Sequence, residues 1–365
     1  MSPAQLAMLI GAAAVVTFAL TPFVRRFSLG AGVVDRPEDR KVHTSEVPRL
    51  GGVAIAGGLF AAAALQVAGE VLLGWRPALT AGGPQVIGCL AGMAVVFVTG
   101  LVDDVRGLSP GQKLVGQIAA AAVVIASGVR IDFVGNPFGG LLMLGLLSIP
   151  VTAVYIVAFT NVVNLIDGLD GLAAGVSAIG AVTMLVLALQ GNQFAAAALA
   201  AALIGACLGF LRYNFHPASI FMGDSGSMLL GFTLAAISLL GVMKSVAAIA
   251  LLVPLLILGV PIFDTASAII RRVRHKRPIQ EADRGHIHHR LLGRGFDQRQ
   301  TVLIIYVWSV ALGVGAYAMR WAATPVKLLT FAVLAGLSVF MAYWLGLFEV
   351  AHHHADEREQ DEEHG

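Results

Sequence analysis

The stretch NVVNLIDGLDGLA, residues 161–173, places amides, carboxylates and glycines between two apolar runs of membrane-spanning length. Asp167 and Asp170 are three residues apart, so on a helix they would share one face. Polar groups at a membrane edge are costly unless they face water, a metal ion or each other. The stretch therefore predicts a functional site at the boundary of a membrane domain.

The composition of the whole chain indicates the same class of protein. Of its 365 residues, 57% are hydrophobic and 13% are charged, and the mean hydropathy is +0.82. A soluble chain of this length has too much surface to need so much apolar sequence. Ala, Leu and Gly fill the apolar runs without strand-like alternation, which favours helices over a barrel. We therefore expect an all-α, polytopic membrane protein.

Apolar runs near twenty residues long mark about eleven candidate spans. They cover residues 4–24, 51–73, 84–102, 113–129, 141–160, 170–190, 194–211, 227–243, 246–270, 301–319 and 326–347. Most of the 24 Lys and Arg residues fall in the loops of one face. The positive-inside bias makes that face cytoplasmic, with the N-terminus outside and the C-terminus cytoplasmic.

The chain is expected to form one functional domain. Residues 1–349 would be a single transmembrane domain with its active-site loops in the cytoplasm. Residues 350–365 are acidic and His-rich, a composition typical of a disordered tail. We find no internal repeat in the sequence, whereas inverted repeats would have favoured a transporter.

Two adjacent carboxylates end one of the predicted spans. Asp103 and Asp104 would repel each other unless a cation or water compensates. Mg²⁺ suits this position because it is a hard ion that takes oxygen ligands and often bridges phosphates. The alternative is an ordinary helix end in the headgroup region.

The segment after this pair predicts a new helix. Ser109, Pro110 and Gln112 match the N-cap, N1 and N3 positions of a capping box. Lys113 would then lie in the first turn, close to the paired aspartates. An ammonium there opposes the helix dipole, so an anionic ligand explains it better than helix stability does.

Oxygen acceptors recur every three residues in the 161–173 stretch. Asn164, Asp167 and Asp170 could line one face, where the amide offers a neutral oxygen to a metal and the carboxylates add charge or accept hydrogen bonds. A polar contact between helices is the alternative interpretation.

The stretch NFHPASIFMGDSGSMLLGF, residues 214–232, carries Asp224 immediately before a further span. The N–H groups at such a helix start form a pocket suited to phosphate. Ser225 or Ser227 could also serve as the N-cap, and the two roles are compatible. A plain turn aspartate is the alternative for Asp224.

Two basic segments complete the set. Arg49 lies in a cytoplasmic loop just before two glycines and could meet a phosphate, although a solvated basic loop is the simpler alternative. The last large loop carries His286, His288, His289 and Arg290. No Cys or suitably spaced carboxylate completes a zinc site there. Together with neighbouring arginines, this cluster looks like a pyrophosphate clamp.

These residues suit chemistry on phosphates at a membrane surface. Carboxylates for Mg²⁺, a lysine and a His/Arg cluster fit a soluble phosphorylated donor and a lipid phosphate acceptor, because phosphoryl transfer needs mostly positioning and charge neutralisation. A transporter of an anionic solute is the competing class. It would need ionisable groups at mid-membrane, whereas the acids of this sequence lie at span ends on one side of the membrane.

The sequence resembles the polyprenyl-phosphate N-acetylhexosaminyl-1-phosphate transferases of the glycosyltransferase 4 type. The matching segments are PRLGG, DD followed by GLSPGQKL, NVVNLIDGLDGLAAG, FMGDSGS and GHIHHRLL, in that order from about Arg36 to Leu292. The HIHH form is similar to the enzymes that start O-antigen, enterobacterial common antigen or wall teichoic acid synthesis. It departs from the three-His run of the peptidoglycan branch, which uses a muramoyl-pentapeptide donor.

The resemblance implies a reaction and its partners. UDP-GlcNAc and undecaprenyl phosphate would give undecaprenyl-diphospho-GlcNAc and UMP at the cytoplasmic face of the bacterial inner membrane. The alternative is another UDP-N-acetylhexosamine donor, carrying GalNAc, a 6-deoxy sugar or the muramoyl-pentapeptide. No nucleic-acid partner is expected, and a homodimer is a candidate assembly. Direct attack is favoured over an aspartyl intermediate, because a phosphate acceptor is already a competent nucleophile.

The resemblance also implies a role for each site residue. Mg²⁺, with Mn²⁺ as the alternative ion, would be held by Asp224 and Asn164. The catalytic residues would be Asp103, Asp104, Lys113 and His288. The substrate-binding residues would be Asn161, Asp167, Asp170, His286, His289, Arg290 and Arg49.

Overall fold

The computed structural model describes residues 1–35, 46–135, 140–242, 255, 259–274, 287–319 and 322–344. The helices are α1 (Pro3–Gly30), α2 (Gly51–Leu72), α3 (Gly83–Arg106), α4 (Pro110–Ala126), α5 (Ser148–Leu165), α6 (Leu172–Gln190), α7 (Phe194–Asn214), α8 (Gly223–Val242), α9 (Gly259–Arg274), α10 (Ile287–Gly293), α11 (Gln298–Ala318) and α12 (Thr324–Trp344). The strands are β1 (Val34–Asp35), β2 (Val47–Pro48), β3 (Phe133–Gly135) and β4 (Leu141–Met143).

The helices are those of a multi-pass membrane protein. Among the described residues, 8 helical segments are long and apolar enough to cross a membrane. The helices α4 and α12 add shorter apolar stretches, Pro110–Ala126 and Pro325–Met341. Much of the predicted span 246–270 and all of the predicted tail 350–365 lie outside the described residues. The polytopic helical class is therefore confirmed, while the count of about eleven spans stays a prediction.

Two short hairpins modify the purely helical expectation. Strands β1 and β2 pair antiparallel, with Val34 opposite Pro48, and β3 and β4 pair antiparallel, with Val134 opposite Leu142. The predicted span 141–160 was wrong at its start, because β4 and a short turn precede α5. Gly145 in that turn has a φ of 52°, a left-handed conformation that interrupts a helix. The helix begins at Ser148 and continues to Leu165.

The helices α7 and α8 form the centre of the bundle. In the most apolar 18-residue window of each helix, the buried share is 78% for α7 and 89% for α8. Helix α8 packs against α2, α3, α5, α6 and α7. Lipid tails are as apolar as Leu, so helices in a membrane associate through close packing of small side chains. The Ala-rich sequence of α7 provides such a surface.

The start of α4 follows the predicted capping box. Ser109 Oγ accepts a hydrogen bond from Gln112 N at 3.3 Å, and Gln112 Oε1 accepts one from Ser109 N at 2.8 Å. Pro110 occupies the first turn, where its missing N–H costs nothing. The capping pair satisfies donors that would otherwise lack partners. This local prediction is confirmed, and it fixes Lys113 in the first turn of α4.

The PRLGG segment links the start of α2 to the residues just before α8. Pro48 O accepts a hydrogen bond from Phe221 N at 2.7 Å, Phe221 O accepts one from Gly51 N at 2.9 Å, and Met222 O accepts one from Gly52 N at 2.7 Å. A Cβ on Gly52 would lie 2.3 Å from Gly226 N and 2.4 Å from Ser225 Oγ. Only glycine therefore lets the two helix starts approach this closely.

We expect Gly52→Ala to destabilise the protein by about 1–3 kcal/mol, because the new methyl group would overlap backbone atoms of α8. Gly11→Ala is the matched control, since a Cβ at Gly11 has nothing within 4 Å. The measurement is the folded fraction of detergent-solubilised protein after heating. Equal melting temperatures for the two variants would contradict the close packing of α2 on α8.

Candidate active site

Three carboxylates meet where α3 ends and α8 begins. Oxygen atoms of Asp103, Asp104 and Asp224 all lie within 4.8 Å of one another. Asp103 and Asp104 are in the last turn of α3 and are buried, whereas Asp224 lies in the first turn of α8 and is half-buried. Residues 120 positions apart in the chain are thus brought together, in keeping with the expectation that the acids lie at one surface of the membrane domain.

Lys113 joins two of these carboxylates. Its Nζ lies 2.8 Å from Asp103 Oδ2 and also donates a hydrogen bond to Asp224 Oδ2. Leu108 N donates to Asp103 Oδ1 at 2.6 Å. The expected proximity of Lys113 to the paired aspartates is confirmed. Because the three carboxylates outnumber this ammonium group, the cluster can accept a further cation.

Asp104 binds the start of α8. Its Oδ1 accepts from Asp224 N at 2.8 Å, and its Oδ2 accepts from Ser225 N at 3.0 Å and from Ser225 Oγ at 2.6 Å. The helix N–H groups that we expected to meet phosphate thus meet a carboxylate of the same chain. The N-cap expectation for Ser225 and Ser227 was wrong, because Ser225 Oγ donates to Asp104 and Ser227 Oγ donates to Gly223 O at 3.0 Å.

The amides at the end of α5 lie beside the same cluster. Asn164 Nδ2 donates to Asp224 Oδ1 at 3.1 Å and to Ser227 Oγ at 2.8 Å. Asn161 forms a reciprocal amide pair with Gln117 of α4, at 3.2 and 2.7 Å. Gln117, the partner of this candidate site residue, was not predicted from the sequence. Its signal was available, since it lies four residues after Lys113 and shares its helix face.

Asp167 and Asp170 lie in the loop between α5 and α6, so the prediction that they share a helix face was wrong. Asp170 Oδ2 lies 2.8 Å from His216 Nδ1 and accepts from Ala218 N at 3.0 Å. Arg299 Nη2, at the start of α11, donates to His216 O at 3.1 Å. His216 could not be predicted as a partner of Asp170 from the sequence, because no local feature links it to a loop 46 residues earlier.

The surroundings of Asp167, in the same loop, shift its pKa. Burial among the surrounding protein atoms raises its pKa well above the usual range, and the negative charges of Asp224, Asp104 and Asp170 raise the pKa further. The loop therefore belongs electrostatically to the acid cluster, although it lies on a different element.

Arg49 reaches the same place from the PRLGG segment. Its Nε and Nη2 donate to the main-chain oxygen of Asp104, at 3.0 and 2.5 Å. This contact places the guanidinium at the edge of the acid cluster and uses two of its donors on the protein itself.

The His-rich cluster is described only in part. His286 lies outside the described residues, and His288, His289 and Arg290 belong to α10. The start of α10 is held by Asp264 of α9, whose Oδ1 accepts from Ile287 N at 2.8 Å. Asp264 and Ile287 line a small cavity together with Ile166, the neighbour of Asp167. The first turn of α10 therefore lies next to the α5–α6 loop.

The donor atoms of this site suit a hard divalent cation. Asp103 and Asp224 offer carboxylate oxygens on either side of Lys113. Asp104 Oδ2 already accepts two hydrogen bonds, so it has less capacity left. Asn164 donates a hydrogen bond to Asp224 through Nδ2. Its amide oxygen is the atom that would ligate a metal. Carboxylate and amide oxygens are the ligands that Mg²⁺ and Ca²⁺ take, so the residues fit the ion that the resemblance implies.

Comparisons with known proteins identify the family. A model described as glycosyl transferase family 4 matches residues 86–242. A Bacillus subtilis protein named as a probable undecaprenyl-phosphate N-acetylglucosaminyl 1-phosphate transferase is 40% identical over 329 residues, which covers 90% of this chain and 88% of that relative. A Mycolicibacterium smegmatis decaprenyl-phosphate N-acetylglucosaminephosphotransferase is 38% identical, covering 86% of this chain and 81% of the relative.

The peptidoglycan branch is also similar to this chain. A phospho-N-acetylmuramoyl-pentapeptide-transferase of Desulforudis audaxviator is 33% identical, covering 83% of this chain and 93% of that relative. The family match at residues 86–242 includes most of α3 and all of α8, which carry the acid cluster, and the α5–α6 loop. The chain therefore belongs to glycosyl transferase family 4.

Proposed function

We propose that this protein transfers N-acetylglucosamine 1-phosphate from UDP-GlcNAc to undecaprenyl phosphate. The observation that carries the proposal is the convergence of Asp103, Lys113, Asn164 and Asp224 at the ends of four membrane helices. Such a site suits anionic substrates that meet at a membrane surface. Two of the relatives described above are named for GlcNAc phosphate transfer to polyprenyl phosphates, which supports the donor and the acceptor.

The chemistry requires one bond to form and one to break. An oxygen of the lipid phosphate attacks the β-phosphorus of the donor, and the bond from that phosphorus to the bridging oxygen breaks. UMP leaves with the electron pair, and the sugar stays on the β-phosphate. Because the nucleophile is already an anion, the protein mainly has to position both phosphates and offset their repulsion.

The proposed roles follow from the contacts. Asp224 and Asp103 would hold Mg²⁺, or Mn²⁺ as the alternative ion, with Asn164 as a neutral ligand. When bound, the ion would neutralise charge on the donor diphosphate and act as a template for the reaction. The ammonium of Lys113 lies between the two carboxylates and would bind a phosphate oxygen. Asp103 would orient the lipid phosphate.

We further propose that the site faces the cytoplasm of a bacterial inner membrane. The bias of Lys and Arg towards the loops that carry these residues supports this orientation. It would place the N-terminus outside, and the apolar runs of the sequence predict about eleven spans. UDP-sugars are soluble, so a cytoplasmic site would receive the donor directly.

The muramoyl-pentapeptide donor is the second candidate. The relative that is named for it is 33% identical, against 40% for the relative named for GlcNAc. The HIHH sequence of 286–289 also differs from the three-His run of that branch. Both observations favour GlcNAc.

Purified protein given undecaprenyl phosphate and Mg²⁺ should release UMP from UDP-GlcNAc. UDP-GalNAc and UDP-muramoyl-pentapeptide serve as competing donors under the same conditions, with lipid products separated by chromatography. We expect the labelled sugar phosphate to appear on the lipid with UDP-GlcNAc, and chelation of the metal to stop the reaction. Preferential use of the pentapeptide donor would reject the proposed specificity.

Replacing Asp224 by Asn should lower kcat by roughly 10²–10³, because a charged group that acts on the transferring phosphates is lost. Binding of Mn²⁺, followed by electron paramagnetic resonance of the free ion, should weaken in parallel. Asp132→Asn is the control, since that carboxylate is exposed and its ion pair with Arg130 is long, at 3.8 Å. Full activity of Asp224→Asn in a folded protein would remove Asp224 from the metal site.

The Asp170 carboxylate is proposed to help hold the nucleotide. Asp170→Ala should raise KM for the donor by roughly tenfold or more, the cost of one hydrogen bond to a charged group. KM for the lipid should change little. His216→Ala removes the partner of Asp170 Oδ2 and should give a smaller rise in the same constant. Identical donor KM values for Asp170→Ala and the parent protein would show that Asp170 only anchors the 216–218 loop.

A further inference from the structure

The position of Asp224 depends on what holds the start of α8. Gly223 is the first residue of that helix, and its φ is 69°. A Cβ there would lie 2.2 Å from Arg49 O and 2.6 Å from both carboxylate oxygens of Asp104. Arg49 and Asp104 thus enclose the residue that precedes Asp224 from two sides. Neither is adjacent to it in sequence.

The first side is the Asp104 carboxylate, which is 3% exposed. All three hydrogen bonds that it accepts come from Asp224 and Ser225. These are donors of the first turn of α8, which have no partner within their own helix. A carboxylate at a helix N-terminus is also favoured by the helix dipole. Asp104 therefore does for α8 what an N-cap residue does, but from the end of another helix.

The second side is Arg49. Its guanidinium donates twice to the main-chain oxygen of Asp104, in the last turn of α3, where carbonyl groups lack helical partners. The backbone on either side of Arg49 bonds to Phe221 and Met222, just before α8. Arg49 is thus fixed to both helices, and its contact with Asp104 is made through the main chain.

We propose that Asp104 and Arg49 are positioning residues that together set the place of the Asp224 carboxylate. We call this arrangement the helix brace: the end of α3 gives its side-chain carboxylate to the start of α8 and its carbonyl oxygen to Arg49. The brace holds Asp224 beside Asp103 and Lys113. The inference builds on the proposed function, in which Asp224 binds the metal ion.

A positioning role and a direct role of Arg49 on substrate phosphate predict opposite changes in cation affinity when Arg49 is replaced. Loss of a positive charge near a cation site tightens cation binding by simple electrostatics. Loss of a positioning residue weakens it, because the ligand carboxylate is no longer held. Gln and Leu are both neutral, but the Nε2 of Gln stands where Arg49 Nε donates to Asp104 O at 3.0 Å. The pair Arg49→Gln and Arg49→Leu therefore separates the hydrogen bond from the charge.

The test uses full-length protein in detergent without substrates, with Mn²⁺ affinity measured by electron paramagnetic resonance. We expect Arg49→Leu to weaken Mn²⁺ binding by about tenfold, the usual cost of losing an outer-shell contact of a metal site, and Arg49→Gln to bind Mn²⁺ at least as tightly as the parent, because it keeps the hydrogen bond and loses only the charge. Ser225→Ala, which removes one of the three bonds to Asp104 without a change of charge, should shift the affinity in the same direction by less. Unchanged or tighter binding in Arg49→Leu would overturn the brace.

A second readout needs neither metal nor turnover. Hydrogen exchange of the peptide covering residues 221–228, followed by mass spectrometry, should become faster in Arg49→Leu and Ser225→Ala but not in Arg49→Gln. Equal exchange in all four proteins would overturn the brace by itself. If the parent protein bound no Mn²⁺ while the exchange result held, the metal part of the proposed function would fail and the brace would stand.

Discussion

The site depends on one electrostatic constraint, the crowding of carboxylates where apolar helices end. Asp103, Asp104 and Asp224 have oxygen atoms within 4.8 Å of one another, although like charges repel and burial strengthens the repulsion. The structure resolves this with two kinds of partner. The ammonium of Lys113 joins Asp103 to Asp224, and main-chain N–H groups of α8 bind Asp104.

The features predictable from sequence are those that depend on neighbours in the chain. The capping box at Ser109 needs only residues 109–112, so its prediction and the resulting place of Lys113 are confirmed. The long apolar helices follow from composition in the same way. Asp103 and Asp224 could be expected near each other only because the end of α3 and the start of α8 were both expected on one face of the membrane.

The features that sequence reasoning missed are contacts between distant segments. Gln117 pairs with Asn161, and His216 pairs with Asp170, across 44 and 46 positions. The capture of the α8 start by Asp104 spans 120 positions. A serine stands where an N-cap was expected, and nothing in the local pattern says that another helix supplies the acceptor. The shape of the loop 166–171 was missed for a different reason, because spacing by three also occurs outside helices.

The ammonium between Asp103 and Asp224 has a consequence for how the site is used. The protein carries its own tethered counter-ion, so these two acids keep their separation when no other cation is near. A divalent ion that bound the same two carboxylate oxygens would compete with Lys113 Nζ for them. An ammonium released from these oxygens would be able to bind an anionic group of the substrate, so the same lysine would offset negative charge both before and after a metal ion binds.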